Sequence, residues 1–266
     1  MSAALVLRAV DERGVATVTL NRPEVSNAYN EALLEALQAA VGDLATDPGV
    51  RVVVLRGAGR HFQAGADLAW LKEVGGYDLA RNVEMSLKTT RAVQALNVCA
   101  KPTVALVHGA CYGGGVGLVA ACDVAIATVG ATFALTEVRF GLIPAPIIPQ
   151  LVAALGVRAL RRYGITGERF DAAAAERIGL VHEICPAGGL DEAVAPLIDA
   201  LLRSAPSAVE RSKRMVLEEA GLDLSERRIR ALAVEGALKR ASPEAAEGLS
   251  SFLEKRQPAW YRGDRS

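Results

Sequence analysis

Three consecutive glycines constrain this chain more than any other feature of it. They sit in Tyr112-Gly113-Gly114-Gly115-Val116-Gly117. The apolar run Thr103–Val107 before them predicts a buried strand, and the apolar stretch they open, through Ala121, predicts a helix. A chain that passes through glycine into a helix presents unpaired N–H groups and the positive end of the helix dipole at one point, with no side chain in the way. A glycine run by itself is equally a tight turn or a close helix contact. A second segment has the same character: His61-Phe62-Gln63-Ala64-Gly65-Ala66-Asp67-Leu68 follows a buried run at residues 50–55 and leads into a helical stretch that Asp67 can cap. That cap leaves the N–H of Ala66 pointing into a cleft. Two such turns at the ends of neighbouring strands can aim two donors at one oxygen, which is an oxyanion hole.

The rest of the chain supplies a frame for these turns. Val15–Leu20 alternates and is β-branched, so it predicts a strand, followed by a turn at Asn21-Arg22-Pro23-Glu24. From Asn30 the period becomes helical, with Leu33, Leu34, Leu37 and Val41 on one face, until Asp47-Pro48-Gly49 stops it. Val124–Thr128 predicts a further buried strand, and residues 77–96 a helix after the flexible Gly75-Gly76. Strand, helix, strand recurs, which implies crossover connections and parallel pairing in an α/β fold. From Leu190 onward the pattern is almost wholly helical, punctuated by Pro206, Gly221 and Ser242-Pro243. The expected division is a mixed body at 1–200 and a helical C-terminal region at 201–266. Only 5% of residues are aromatic, so the core must be Ala, Val, Leu and Ile.

Several function classes fall away. Formal net charge is zero, and the helix at residues 31–43 carries no Lys or Arg, so the local cations that nucleic-acid phosphates require are missing there. No apolar run reaches the roughly 20 residues of a membrane span. The N-terminal stretch lacks the basic region of a signal peptide, so a cytoplasmic location is expected. Cys99, Cys111, Cys122 and Cys185 form no CxxC pair and predict buried reduced thiols. His61, His108 and His182 are scattered without metal-ligand spacing, so no metal is expected.

Taken together and in this order, the two turns resemble the enoyl-CoA hydratase/isomerase (crotonase) family. The resemblance runs from Asn21-Arg22-Pro23-Glu24 through Phe62-Gln63-Ala64-Gly65-Ala66-Asp67-Leu68, Lys101-Pro102 and the glycine run with Cys122-Asp123, to Phe252-Leu253-Glu254-Lys255-Arg256. It implies a spiral of ββα units with a helical C-terminal oligomerisation region that builds trimers or dimers of trimers. It implies that the N–H groups of Ala66 and Gly114 bind a thioester oxygen, and that the backbone around Ala64, Asp67 and Leu68 holds the adenine and pantetheine of coenzyme A. Coenzyme A enters as part of the substrate, and no separate cofactor is implied. Arg22 stands where the family has a basic residue for the phosphates. Phe252 and Lys255 would reach the adenine pocket of a neighbouring subunit.

The family's hydratases place one glutamate on the helix after the glycine run and a second beyond the next strand. Alignment on the glycines and Cys122-Asp123 puts the first position at Gly117, where the carboxylate is absent, and the second at Glu137. Gly117 could only make room for substrate or an ordered water. Glu137 is a lone acid in an apolar stretch, where burial should raise its pKa toward neutrality and fit it to move a proton both ways. Tyr112 and His108 are candidate helpers. The resemblance implies reversible hydration of an α,β-unsaturated acyl-CoA, in character closest to bacterial 3-methylglutaconyl-CoA hydratases, which interconvert that thioester with 3-hydroxy-3-methylglutaryl-CoA. The alternative is double-bond isomerisation with the same glutamate. Such an acyl chain ends in a carboxylate, which needs a cation when buried; Arg139, Lys72 and Arg81 are candidates. Trp70, Leu71 and Ile143 are candidates for the acyl pocket.

Overall fold

The computed structural model describes residues 4–261. Strand β1 (Val6–Val10) pairs antiparallel with β2 (Val15–Leu20) through a turn in which the Asp11 carboxylate accepts from the amides of Arg13 and Val15. β1 escapes sequence reading because it is an edge strand. Most of it is exposed, so no alternation of burial marks it. Helix α1 (Glu31–Thr46) starts where the Asn30 side chain accepts from the Leu33 amide at 3.0 Å, and it buries the expected Leu33, Leu34, Leu37 and Val41. β3 (Val52–Gly57) lies parallel to β2. Helices α2 (Leu68–Gly75) and α3 (Leu79–Asn97) follow, each capped by an aspartate side chain, Asp67 and Asp78.

β4 (Thr103–Val107) then joins the sheet parallel to β3. Between it and the glycines lies an unexpected strand, β5 (Ala110–Tyr112), three residues long and too short for any period to reveal. Helix α4 (Gly114–Ala120), β6 (Val124–Thr128), β7 (Thr132–Ala134), α5 (Ile148–Thr166), β8 (Arg169–Asp171), α6 (Ala172–Arg177) and β9 (Glu183–Cys185) complete the body. Helices α7 (Leu190–Arg203), α8 (Pro206–Glu219), α9 (Glu226–Arg240) and α10 (Pro243–Leu253) end the described chain.

The main sheet has the order β1-β2-β3-β4-β6-β9, parallel throughout except for the β1–β2 hairpin. Its central strands are buried on both faces, as their continuous apolar runs require. Val52, Val54, Val104 and Leu106 pack one way onto Leu190, Val194 and Ile198 of α7. Val53, Leu55, Ala105 and Val107 pack the other way against Leu33 and Leu37 of α1 and Val93 and Leu96 of α3. A smaller sheet, β5-β7-β8, sits beside it. No helix among the described residues is long and apolar enough to cross a membrane.

Candidate functional site

The first turn is held by polar groups that the chain buries for that purpose. Asn27, fully buried, donates through Nδ2 to the carbonyls of Ala58 and His61, both at 2.8 Å, and so fixes the loop that follows β3. Gln63, also fully buried, donates to the Gly65 carbonyl at 2.7 Å and accepts from the Gly65 amide at 2.8 Å. Gly65 takes φ +91°, which its lack of a Cβ permits. Tyr29 then pairs with the turn as a parallel bridge, its amide donating to the Gly65 carbonyl at 2.9 Å and its carbonyl accepting from the Asp67 amide at 2.8 Å. In that pattern the N–H of the intervening residue, Ala66, points away from Tyr29. It has no acceptor among the described residues.

The second turn meets the first. Gln63 bridges to Cys111 in β5, and the Tyr112 amide donates to the Gln63 carbonyl at 2.9 Å. Gly113 adopts φ +53° and ψ −124°, open only to glycine, and leads into α4. The Gly114 amide, like that of Ala66, has no acceptor among the described residues. A methyl group placed on Gly113 would lie 3.6 Å from the Gly65 Cα and 3.4 Å from the Glu137 Oε1. The two turns and the glutamate therefore converge within a few ångströms, around a cavity of about 270 Å³.

Glu137 opens a 3-10 turn that follows β7. Its Oε2 is enclosed and has no hydrogen-bond partner among the described residues. Burial pushes its carboxyl up to about 7, so it exchanges a proton readily near neutrality. Tyr29 stands against the same cavity, and burial followed by the nearby Glu137 charge hold its phenol protonated.

The structure sorts the residues expected from sequence. Ala64, Ala66, Leu68, Leu71, Tyr112, Gly114, Glu137, Ile143 and Phe252 all line the cavity. Arg22 and Asp67 do not. They pair with each other at 3.2 Å while Asp67 caps α2, so both charges act in shaping the first turn. Trp70 packs edge-on against the Tyr29 ring at 5.9 Å and is not part of the lining. Phe252 packs edge-on against Phe140 of its own chain, ring centroids 5.0 Å apart, and stays 53% exposed. Lys255 lies past the end of α10, exposed, and does not line the cavity.

Two expectations are corrected outright. Gly117 does not leave room for water or substrate: a Cβ there would lie 2.3 Å from Cγ2 of Ile147, so that isoleucine already fills the space. Arg139 does not face the cavity. The short 3-10 turn carries it to the outer side, exposed and packed along Gly167. Lys72 and Arg81 are exposed as well, and Arg81 pairs with Glu84. Of the candidate helpers, Tyr112 lines the cavity with its hydroxyl bonded to Thr132, whereas His108 is spent on the Gly59 carbonyl.

Sequence reasoning missed Tyr29, Asn27, Ile147 and Arg240. Tyr29 and Asn27 lie in the short loop before Asn30; an aromatic in a loop is the one signal for Tyr29, and Asn27 gives none, since asparagine is ordinary in a turn. Ile147 and Arg240 reach the cavity from elsewhere in the chain and have no local signal.

Comparison with known proteins agrees with this geometry. Residues 11–263 match the family described as enoyl-CoA hydratase/isomerase. The 2,3-dehydroadipyl-CoA hydratase of Escherichia coli is 33% identical, over 97% of this chain and 98% of its own length. A peroxisomal Delta(3,5)-Delta(2,4)-dienoyl-CoA isomerase of Arabidopsis thaliana is 28% identical over 97% and 96%. The crystal structure of an enoyl-CoA hydratase from Mycobacterium avium superposes with a TM-score of 0.86 at 38% identity, covering 98% of this chain and 100% of that one. The crotonase-type fold expected from sequence is thereby established.

Proposed function

The chain belongs to the enoyl-CoA hydratase/isomerase family, and from that premise we propose that it adds water reversibly to an α,β-unsaturated acyl-CoA, with 3-methylglutaconyl-CoA and 3-hydroxy-3-methylglutaryl-CoA as the reacting pair. The observation that carries this reading is the enclosed, unpartnered Oε2 of Glu137 beside the glycine turn. The thioester oxygen accepts from the free amides of Ala66 and Gly114, which hold the negative charge that develops on it. A single such donor is typically worth about 2.7–4 kcal/mol of barrier. Ionised Glu137 takes a proton from water as its oxygen bonds to the β-carbon. The protonated acid then returns that proton to the α-carbon, so one carboxylate serves both steps and one water is consumed. The choice of acyl group draws support from the E. coli relative, whose named substrate also ends in a carboxylate.

The test is incubation of 3-methylglutaconyl-CoA and crotonyl-CoA with the protein in water. Loss of the conjugated absorbance, with a product heavier by one water, is expected. A second reading has one specific observation in its favour. Ile147 makes the region beside Gly117 apolar, where a hydratase's second carboxylate would hold water, and this suits isomerisation by a single proton shuttle. Unchanged absorbance with those substrates, together with new conjugation from a β,γ-unsaturated thioester, would decide for isomerisation.

A further inference from the structure

Helix α9 contributes two residues one turn apart, Gly236 and Arg240, to the cavity wall. Arg240 is only 9% exposed. Its Nη1 donates to the Asn82 Oδ1 at 2.7 Å, and among the described residues its Nε has no partner and no carboxylate pairs with it. Burial pulls its pKa below the usual range, yet a guanidinium stays charged in a protein. A buried cation without an anion is costly, and natural chains keep one where an anion arrives. Glu137 does not serve: no ion pair joins it to Arg240, its Oε2 is unpartnered among the described residues, and its carboxyl is shifted by burial rather than by any nearby cation. Beside Gly236, the fully buried Ser86 Oγ also lacks a partner among the described residues. The other arginine at the cavity, Arg169, is exposed and stacked over the Tyr112 ring at 5.3 Å, so it is already engaged.

We propose that Arg240 receives a carboxylate at the far end of the acyl chain, which makes the pocket selective for thioesters of dicarboxylic acids over those with apolar ends. This rests on the reading of the cavity as an acyl-CoA pocket, and it supplies the cation that Arg139, Lys72 and Arg81 do not. Asn82 holds the guanidinium in place, and Ser86 is near enough to α9 to add a donor.

The test compares binding of glutaryl-CoA and butyryl-CoA by titration calorimetry. Both carry the same coenzyme A phosphates, so their ratio isolates the acyl carboxylate, and both are saturated, so neither can be hydrated. The natural chain is expected to bind glutaryl-CoA about ten- to a hundredfold more tightly, as a charge-assisted pair provides. Arg240→Met should bring that ratio close to one, and Arg240→Lys should keep part of it. A ratio of one or less in the natural chain overturns the proposal without any variant, as does a preference that survives in folded Arg240→Met. Should no thioester ever gain water while the Arg240-dependent preference holds, the hydration reading fails and the carboxylate site stands.

Discussion

The two sides of the cavity are built on different principles. The floor, made by the turns around Ala66 and Gly114, is main chain held by main chain and by buried amides: Gln63, Asn27 and the backbone of Tyr29. The facing wall is side chain: Glu137 from a 3-10 turn, Ile147 from just before α5, Arg240 from α9. Floor donors cannot be altered without moving the backbone, so in the proposed mechanism the fold itself fixes oxyanion stabilisation. The wall can change residue by residue, so in that mechanism it governs the fate of the proton and the choice of acyl group. That division explains how one fold carries both the hydratase and the isomerase to which this chain is similar.

The sharpest cut falls on the wall. Glu137→Gln should lower turnover by roughly 10²–10⁴-fold, as removal of a general acid–base does, while thioester affinity measured by calorimetry stays close to that of the natural chain. Equal turnover would take Glu137 out of the chemistry. The floor should respond as a unit to Gly115→Ala, whose new Cβ would lie 2.4 Å from the Gln63 Oε1 and 2.7 Å from its carbonyl oxygen. Because Gln63 clamps one turn and accepts from the other, turnover should fall by about 10²–10³-fold, the cost of losing an oxyanion donor. An unaffected rate would show that the two turns are not coupled.

A smaller effect would turn the wall from one chemistry toward the other. Gly117→Glu alone collides with Ile147 and should cost roughly 1–3 kcal/mol of stability, read by chemical denaturation. Combined with Ile147→Ala, stability should recover and hydration should gain on isomerisation by about tenfold, part of what a second acid–base group supplies. No gain would mean that the missing carboxylate does not decide between the reactions.

The last expected effect leaves turnover aside and is read as stability against pH. The Glu137 carboxyl is raised from 4.5 to about 7 in the folded chain, so the folded state holds that proton more tightly than the unfolded one. Its contribution to stability is whole below 4.5 and is lost as pH rises through about 7. Glu137→Gln, which does not titrate, should therefore melt with the natural chain near pH 4.5 and roughly ten degrees higher at pH 8, since a rise from 4.5 to about 7 corresponds to about 3 kcal/mol and a chain of this size moves about 2–4 °C per kcal/mol. Equal melting temperatures at pH 8 would mean that the carboxylate is better solvated than its enclosure implies.

What was legible in advance followed from local demands. Gly65 at φ +91° and Gly113 at φ +53° with ψ −124° take backbone conformations that favour glycine, so glycines placed between a buried strand and a helix marked both turns. Glu137 stood out as the one acid in a largely apolar run. The central strands declared themselves because both their faces are buried. Strands β5, β7 and β8 did not, since three residues carry no period. Arg139 misled because proximity in sequence to Glu137 says nothing about which side of a tight turn a residue takes.

By itself, then, the sequence determined where main-chain donors could be exposed, which depends on the conformation of a few consecutive residues, while Glu137 was singled out by its place in the family pattern and its position facing the glycine turn came from the tertiary structure. Only the tertiary structure decided that Ile147 would occupy the space beside Gly117 and that Arg240 would arrive uncompensated at the same cavity. Those contacts join residues about 30 and 100 positions apart, and packing between distant elements leaves no spacing in the chain from which they could be read.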